Sequence, residues 1–294
     1  MSARSERAVA MEAADAYCAA LLRHYENFTV ASKLSPRGLR RDLARLYAFC
    51  RTTDDIGDET GDPVQATARL QRWRDDLLAM FDGGDAPQHP VLLALAQTVR
   101  RHRLPAAPFT DLIDANVQDQ TVHTYEDWPT LHSYCARSAA PVGRMVLGIN
   151  GYSDPTRTEL SDAVCIGLQL ANFAQDVSVD AGKGRTYLIQ RELRERGPEG
   201  AVHAMCDRAR ALLDQGRVLE ASVGPRLRVQ LALYRLGGVA ILDAIARSGY
   251  RTASVRPAVE TADRARIAAA ALRTALQHRS PAAAPLTSEV ASNG

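Results

Sequence analysis

Apolar residues recur every three or four positions along most of this chain and nowhere alternate for long, so the pattern predicts helices and no strands. Met11, Ala14, Cys18, Leu21 and Leu22 mark a first helix from about Arg7 to Tyr25, followed by a break over 27–34. Ser35 and Pro36 put a capping residue ahead of a proline at a first helical position, and the helix beginning there runs to about Asp58. Gly61-Asp62-Pro63 leads to a helix carrying Trp73 and Leu77, and residues 82–85 form a turn. Further helices are expected over Val91–His102, from Thr110 to about Val122, and from Trp128 through Cys135 past Gly143 towards Leu147. After a turn at 150–155, a helix starting at Thr158 is apolar almost all round between Ala163 and Ala174, as a central buried helix is. A break at 197–200, helices over 201–221 and from Pro225 to about Arg247, and a basic helix from about Val259 to Arg279 complete the chain. The expectation is an all-α, single-domain helical bundle over residues 1–280, with a small, polar, disordered tail at 281–294.

Two of these helices interrupt their apolar pattern in the same way. At about 100° per residue, Tyr47, Arg51, Asp54 and Asp58 fall within an arc of roughly 60°. Gln169, Asn172, Asp176 and Asp180 fall within roughly 80° on the same geometry. Like charges at i,i+4 destabilise a helix by a few tenths of a kcal/mol, and building that in twice implies a cation that cancels it. Hard oxygen donors on two helices suit Mg²⁺, which takes one or two carboxylates and completes its shell with water and phosphate. Asp54, Asp58, Asn172, Asp176 and Asp180 are the expected metal ligands. Gly182-Lys183-Gly184-Arg185 follows as a flexible basic loop able to fold over phosphates. Asp55 stands at the margin of the first arc, and Glu59 is as easily a surface residue.

Composition narrows the classes. The 294 residues carry 36 basic and 34 acidic side chains, a net charge of +2, so nothing points to nucleic acid. Five widely spaced cysteines without a CxxC read as buried or incidental thiols in a reducing compartment. No uncharged run, 163–175 included, approaches the length of a membrane span, and no apolar region follows the arginines at the start. A cytoplasmic location is expected, with peripheral contact at the inner membrane face left open. The histidines show no zinc-ligand spacing, and there is no GxGxxG or nucleophile elbow.

The motifs resemble those of the head-to-head isoprenoid synthases, which make squalene, presqualene diphosphate, dehydrosqualene and phytoene. The resemblance runs from about His24 to Arg266. Its nearest form is the bacterial hydroxysqualene synthase branch, on His24-Tyr-Glu26-Asn27-Phe28, Ser133-Tyr-Cys with Ser138, Pro141 and Gly143, and Asn172 through Leu188. It implies an isoprenoid synthase-like bundle around a central apolar cavity, Mg²⁺ as cofactor and a prenyl diphosphate substrate. Asp54, Asp58, Asp176 and Asp180, with Arg51 and Tyr47, form the expected catalytic group. His24, Glu26, Asn27, Tyr47, Arg51, Gln169, Asn172, Gln175, Arg185, Tyr187 and Tyr250 are the expected substrate contacts. Arginines suit bidentate contacts to phosphate, and tyrosines either donate to the same oxygens or face a carbocation.

Two departures matter. Condensing members resemble His-x-Lys-Ser/Thr-Phe where this chain has Glu26 and Asn27, and several carry Arg where it has Gln175. The implied reaction starts from a single diphosphate: presqualene diphosphate ionises, rearranges and captures water to give hydroxysqualene, with Glu26 or Asn27 orienting the water. The alternatives are a condensing synthase joining two prenyl diphosphates and, in another class, a non-catalytic helical scaffold.

Overall fold

The computed structural model describes residues 3–22, 36–84 and 87–277. The expected break at 27–34 and the tail at 281–294 lie outside the described residues. In chain order the helices are α1 (Ala3–Leu22), α2 (Arg37–Asp58), α3 (Pro63–Phe81), α4 (Pro90–His102), α5 (Ala107–Gln118) and α6 (Trp128–Ser138). They continue with α7 (Ala140–Ile149), α8 (Pro155–Gln175), α9 (Val177–Gly182), α10 (Gln190–Ser222), α11 (Pro225–Arg247) and α12 (Thr261–Gln277). Among the described residues there is no strand, and a single isolated parallel bridge joins Tyr125 to Ile189.

Several boundaries differ from the sequence expectation for reasons of backbone chemistry. Pro36 occupies the cap position of α2, and its carbonyl accepts from Arg40 N at 2.9 Å. α5 starts at Ala107 because a proline is tolerated in a first helical turn, where Pro108 sits, and it ends at Gln118 rather than Val122. The helix expected from Trp128 towards Leu147 is two, separated at Ala139 (φ −117°, ψ −48°), because Pro141 has no N–H to carry the ladder onward. α8 begins at Pro155 rather than Thr158, with the Asp154 carboxylate accepting from Arg157 N at 3.0 Å. It stops at Gln175, so the second acidic strip is not one continuous helix. Asp176 (φ −99°, ψ 18°) lies between α8 and α9. The bonds Asp176 N to Asn172 O (2.9 Å) and Asp180 N to Asp176 O (2.8 Å) carry the ladder across, so the strip bends rather than ends. The expected break at 197–200 is a kink inside α10 at Gly197.

Two apolar cores flank the centre. One gathers α1 to α5 and α7 around Phe49, Leu70, Leu92 and Ile113. The other gathers α6, α8, α10 and α11 around Leu131, Leu170, Leu213 and Ile245. Each fully buried side chain of this size contributes about 1.5–3 kcal/mol. α8 packs against α6, α7, α10 and α11, which confirms it as the central helix. α11 is long and apolar enough to cross a membrane by length and composition alone. Half of that stretch is buried here, however, and its Arg235 is paired with Glu220 of α10 at 2.6 and 3.1 Å inside the protein. All five cysteines are free, and burial pushes the thiols of Cys135 and Cys165 up to about 12, as inert structural thiols would be.

Candidate active site

The first acidic strip is held rigidly by the apolar core beneath it. Phe49 of α2 stacks on Trp73 (centroids 5.8 Å apart) and meets Phe109 edge-on (5.2 Å). Trp73 Nε1 donates to Thr53 Oγ1 at 3.0 Å, and Thr53 Oγ1 donates to Phe49 O at 2.9 Å. The residue before Asp54 is thus fixed to α3. On the other side α5 comes close: a Cβ at Gly57 would stand 3.0 Å from Asn116 Oδ1. That proximity lets Asn116 Nδ2 donate to Asp54 Oδ1 at 3.2 Å and Gln120 Nε2 donate to Gly57 O at 3.3 Å. Asp54 and Asp58 both open to solvent.

The loop that follows the second strip reaches the first. Lys183 Nζ lies 3.5 Å and Arg185 Nη1 3.3 Å from the Asp58 carboxylate, so the loop after α9 reaches the end of α2. Gly184, at φ +73°, makes the turn between those two cations, and Arg185 N returns to Asp180 O at 3.0 Å. Asn172 is exposed on the same side, and Asp176 is engaged by Arg256, with Nε on one oxygen and Nη2 on the other at 3.3 Å. Tyr187 continues the loop inward, and Thr186 N to His123 O (2.9 Å) and Gln190 N to Tyr125 O (2.9 Å) fasten it to the segment after α5.

The expected contact Tyr187 belongs to an aromatic stack whose other members were not singled out as site residues from the sequence. Phe173 and Tyr187 stack at 3.7 Å with planes 5° apart, and Tyr134 and Tyr125 extend the stack. Tyr134 OH donates to Asp119 Oδ2 at 2.7 Å, while Asp119 Oδ1 is buried without a hydrogen-bond partner. The sequence expectation left Asp119 inside a helix running to about Val122, whereas the structure puts it just past the end of α5. Its signal lay in Tyr134, inside a motif already singled out.

The electrostatics set this region apart. Asp54 keeps access to solvent, but the protein crowded around its carboxyl strips enough water from it to push it up to about 6; the Asn116 hydrogen bond opposes the rise and Asp58 adds to it. Burial pushes Asp119 to about 6 as well, against the hydrogen bond from Tyr134 and the charge of Arg185. Asp180 reaches about 6 through burial and then its neighbour Asp176. Burial raises Tyr134 and Tyr187 too, so both remain neutral donors. Among the described residues no three acidic, cysteine or histidine side chains converge tightly enough to hold an ion by themselves. The donors fit a hard divalent cation of another kind, one sharing its shell between carboxylates of both strips, water and phosphate oxygens. The unpartnered Asp119 oxygen and the raised carboxyls are the observations that support that fit.

The remaining expected residues lie in varied settings. Tyr47 is buried one turn before Arg51, and Arg51 is held by Asp55 at 2.6 Å. Gln169 is half-buried on α8. Gln175 is buried and donates to Pro257 O at 2.7 Å, so its amide serves packing rather than the open face. Tyr250 adopts a left-handed conformation (φ 62°) and lays its ring over His203 of α10 at 4.4 Å. His24, Glu26 and Asn27 lie outside the described residues.

Known proteins resemble this chain in sequence and fold. The profile of the squalene/phytoene synthase family matches residues 21–273. The chain is 35% identical over 172 residues to a presqualene diphosphate synthase of Rhodopseudomonas palustris, covering 58% of this chain and 61% of that protein. It is 32% identical over 237 residues to a 15-cis-phytoene synthase of a Paracoccus species, covering 74% of this chain and 78% of its relative. The crystal structure of squalene synthase HpnC from Alicyclobacillus acidocaldarius superposes with a TM-score of 0.77 at 44% identity, covering 82% of this chain and 96% of that one. A dehydrosqualene synthase with bound ligand shares the fold at a TM-score of 0.81 and 20% identity, over 91% of this chain and 98% of that one. The chain belongs to the squalene/phytoene synthase family, enzymes of isoprenoid biosynthesis that act on prenyl diphosphates.

Proposed function

We propose that this enzyme ionises presqualene diphosphate, lets the cyclopropylcarbinyl cation rearrange, and captures it with water to release hydroxysqualene and diphosphate. The observation that carries this reading is Gln175. Where several condensing relatives are expected to hold an arginine, this chain has a neutral amide, buried and bonded to Pro257 O, so position 175 itself brings no cation for a second diphosphate, and the neighbouring Arg256 is engaged by Asp176. The 44% identity to squalene synthase HpnC over nearly the whole of that chain supports a triterpene product.

Asp54, Asp58, Asn172, Asp176 and Asp180 would hold Mg²⁺. The ion, when bound, supplies Lewis-acid neutralisation of the charge growing on the leaving diphosphate. Lys183 and Arg185 orient that diphosphate through charge-assisted hydrogen bonds, and Arg51 contributes from the first strip. The mutually stacked Phe173, Tyr187, Tyr134 and Tyr125 would wall off the side on which the cation forms, excluding bulk water. Asp119, ionised above about pH 6 and with one oxygen unengaged, accepts the proton that the captured water loses. Tyr134 holds the other oxygen and so aims the free one.

Mass spectrometry of the products formed with Mg²⁺ from presqualene diphosphate, and separately from farnesyl diphosphate, tests this. Hydroxysqualene from the former is expected. Product from farnesyl diphosphate alone would establish the condensing reading, which the similarity to presqualene diphosphate synthase favours.

A further inference from the structure

The residues between α11 and α12 show no hydrophobic period, yet they supply the partner of a central acid. Arg256 engages Asp176 side-on with two nitrogens, the geometry in which a guanidinium best fits a carboxylate. Lys183 and Arg185 do the equivalent for Asp58 across the gap. Opposed acids on the two strips are therefore each matched by a cation brought from a different segment. Around Arg256 the backbone is anchored: Gln175 Nε2 donates to Pro257 O at 2.7 Å, Thr252 is fully buried, and Tyr250 N bonds Ile245 O at 3.1 Å. The Arg256 side chain itself is 56% exposed, so it can turn without moving the segment that carries it.

Resting on the reading of this site as a metal–diphosphate site, we propose that Arg256, together with Lys183, is an internal counter-ion that holds Asp176 and Asp58 until a divalent ion and diphosphate arrive as a unit. Exposed ion pairs are weak and are exchanged readily. When the carboxylates take a divalent ion, Arg256 and Lys183 lose their partners, and the diphosphate oxygens offer both cations better ones. Metal and diphosphate then strengthen each other's binding, and the coupling is reciprocal by linkage. Without diphosphate, the same cations compete with the metal.

Isothermal titration calorimetry of the full chain with Mg²⁺ alone, inorganic diphosphate alone, and both together tests the idea, with melting curves to verify folding. In the native chain diphosphate tightens Mg²⁺ binding by about fivefold or more. Arg256→Gln binds Mg²⁺ alone about two- to fivefold more tightly than the native chain, and loses most of the tightening by diphosphate. Lys183→Gln shifts both quantities in the same direction through Asp58. Unchanged or weaker Mg²⁺ binding in both variants, with diphosphate still bound, overturns the counter-ion role alone. Absence of any Mg²⁺–diphosphate binding by the native chain overturns the reading of the site along with it.

Discussion

At one end of α2, Asp42 is buried among partners; at the other, Asp54 faces an opening with one amide, Asn116, bonded to it. Asp42 accepts from Thr98 Oγ1 (2.8 Å) and Arg101 Nη1 (3.1 Å), lies 2.9 Å from His102 Nε2, and has Arg45 beside it. Arg45 in turn grips Asp15 of α1 at 2.7 and 3.0 Å. Burial alone would raise the Asp42 carboxyl, but the bonds from His102 and Thr98 and the charge of Arg101 hold it below the usual range. Asp54, on the same helix three turns later, is pushed the other way, to about 6. The residue type is the same and the secondary structure is the same. Acids matched within the chain tie helices together, whereas acids left under-matched mark a place where something outside the chain completes the set.

That contrast can be broken at either end. Asp176→Asn should lower diphosphate release from presqualene diphosphate by about a thousandfold or more while leaving the circular dichroism spectrum unchanged. Full activity in that variant would remove the functional role of the second strip. At the matched end, Arg45→Met leaves Asp42 and Asp15 without their shared cation and should cost about 3–5 kcal/mol in urea unfolding. A loss below about 1 kcal/mol would mean that the network is not holding α1, α2 and α4 together.

Asp54→Asn should act in the opposite sense. Removing an under-matched charge stabilises the ligand-free chain by about 1 kcal/mol at neutral pH, a figure reduced for the solvent access of that carboxylate, and raises Tm by about 2–4 °C. The smallest effect is the pH dependence. Asp54, Asp119 and Asp180 bind protons more tightly folded than unfolded, so their contribution to stability is full below about pH 4 and is lost as pH rises through about 6. Asp42 runs the other way: its contribution is present above the ordinary carboxylate range and is lost as pH falls through its lowered value. Melting curves of the ligand-free chain between pH 4 and 7 should therefore slope downward with pH, and the slope should shrink in Asp54→Asn.

Helix positions were legible wherever one face had to be apolar, so α2, α4, α8 and α11 lie close to where their periods put them. The separation of α6 from α7 and the bend at Asp176 were not legible, because helical period persists across a local change of direction. The acidic strips could be read because i,i+4 carboxylates repel and are conspicuous on a helix. Asp119 could not, since a lone acid at a helix end has no such signature. Arg256 could not either: it sits on a segment with no pattern of its own, and its partner lies 80 residues away.

The amino-acid sequence by itself determined that the chain is helical and that two helices present acids on narrow faces, because both properties depend on neighbours within a turn or two. The tertiary structure decided which of those acids are matched. Pairing Asp42 with His102, Asp58 with Arg185 and Asp176 with Arg256 requires side chains brought together from distant segments, and whether a carboxylate is buried with a partner or without one is set by the packing of the whole bundle.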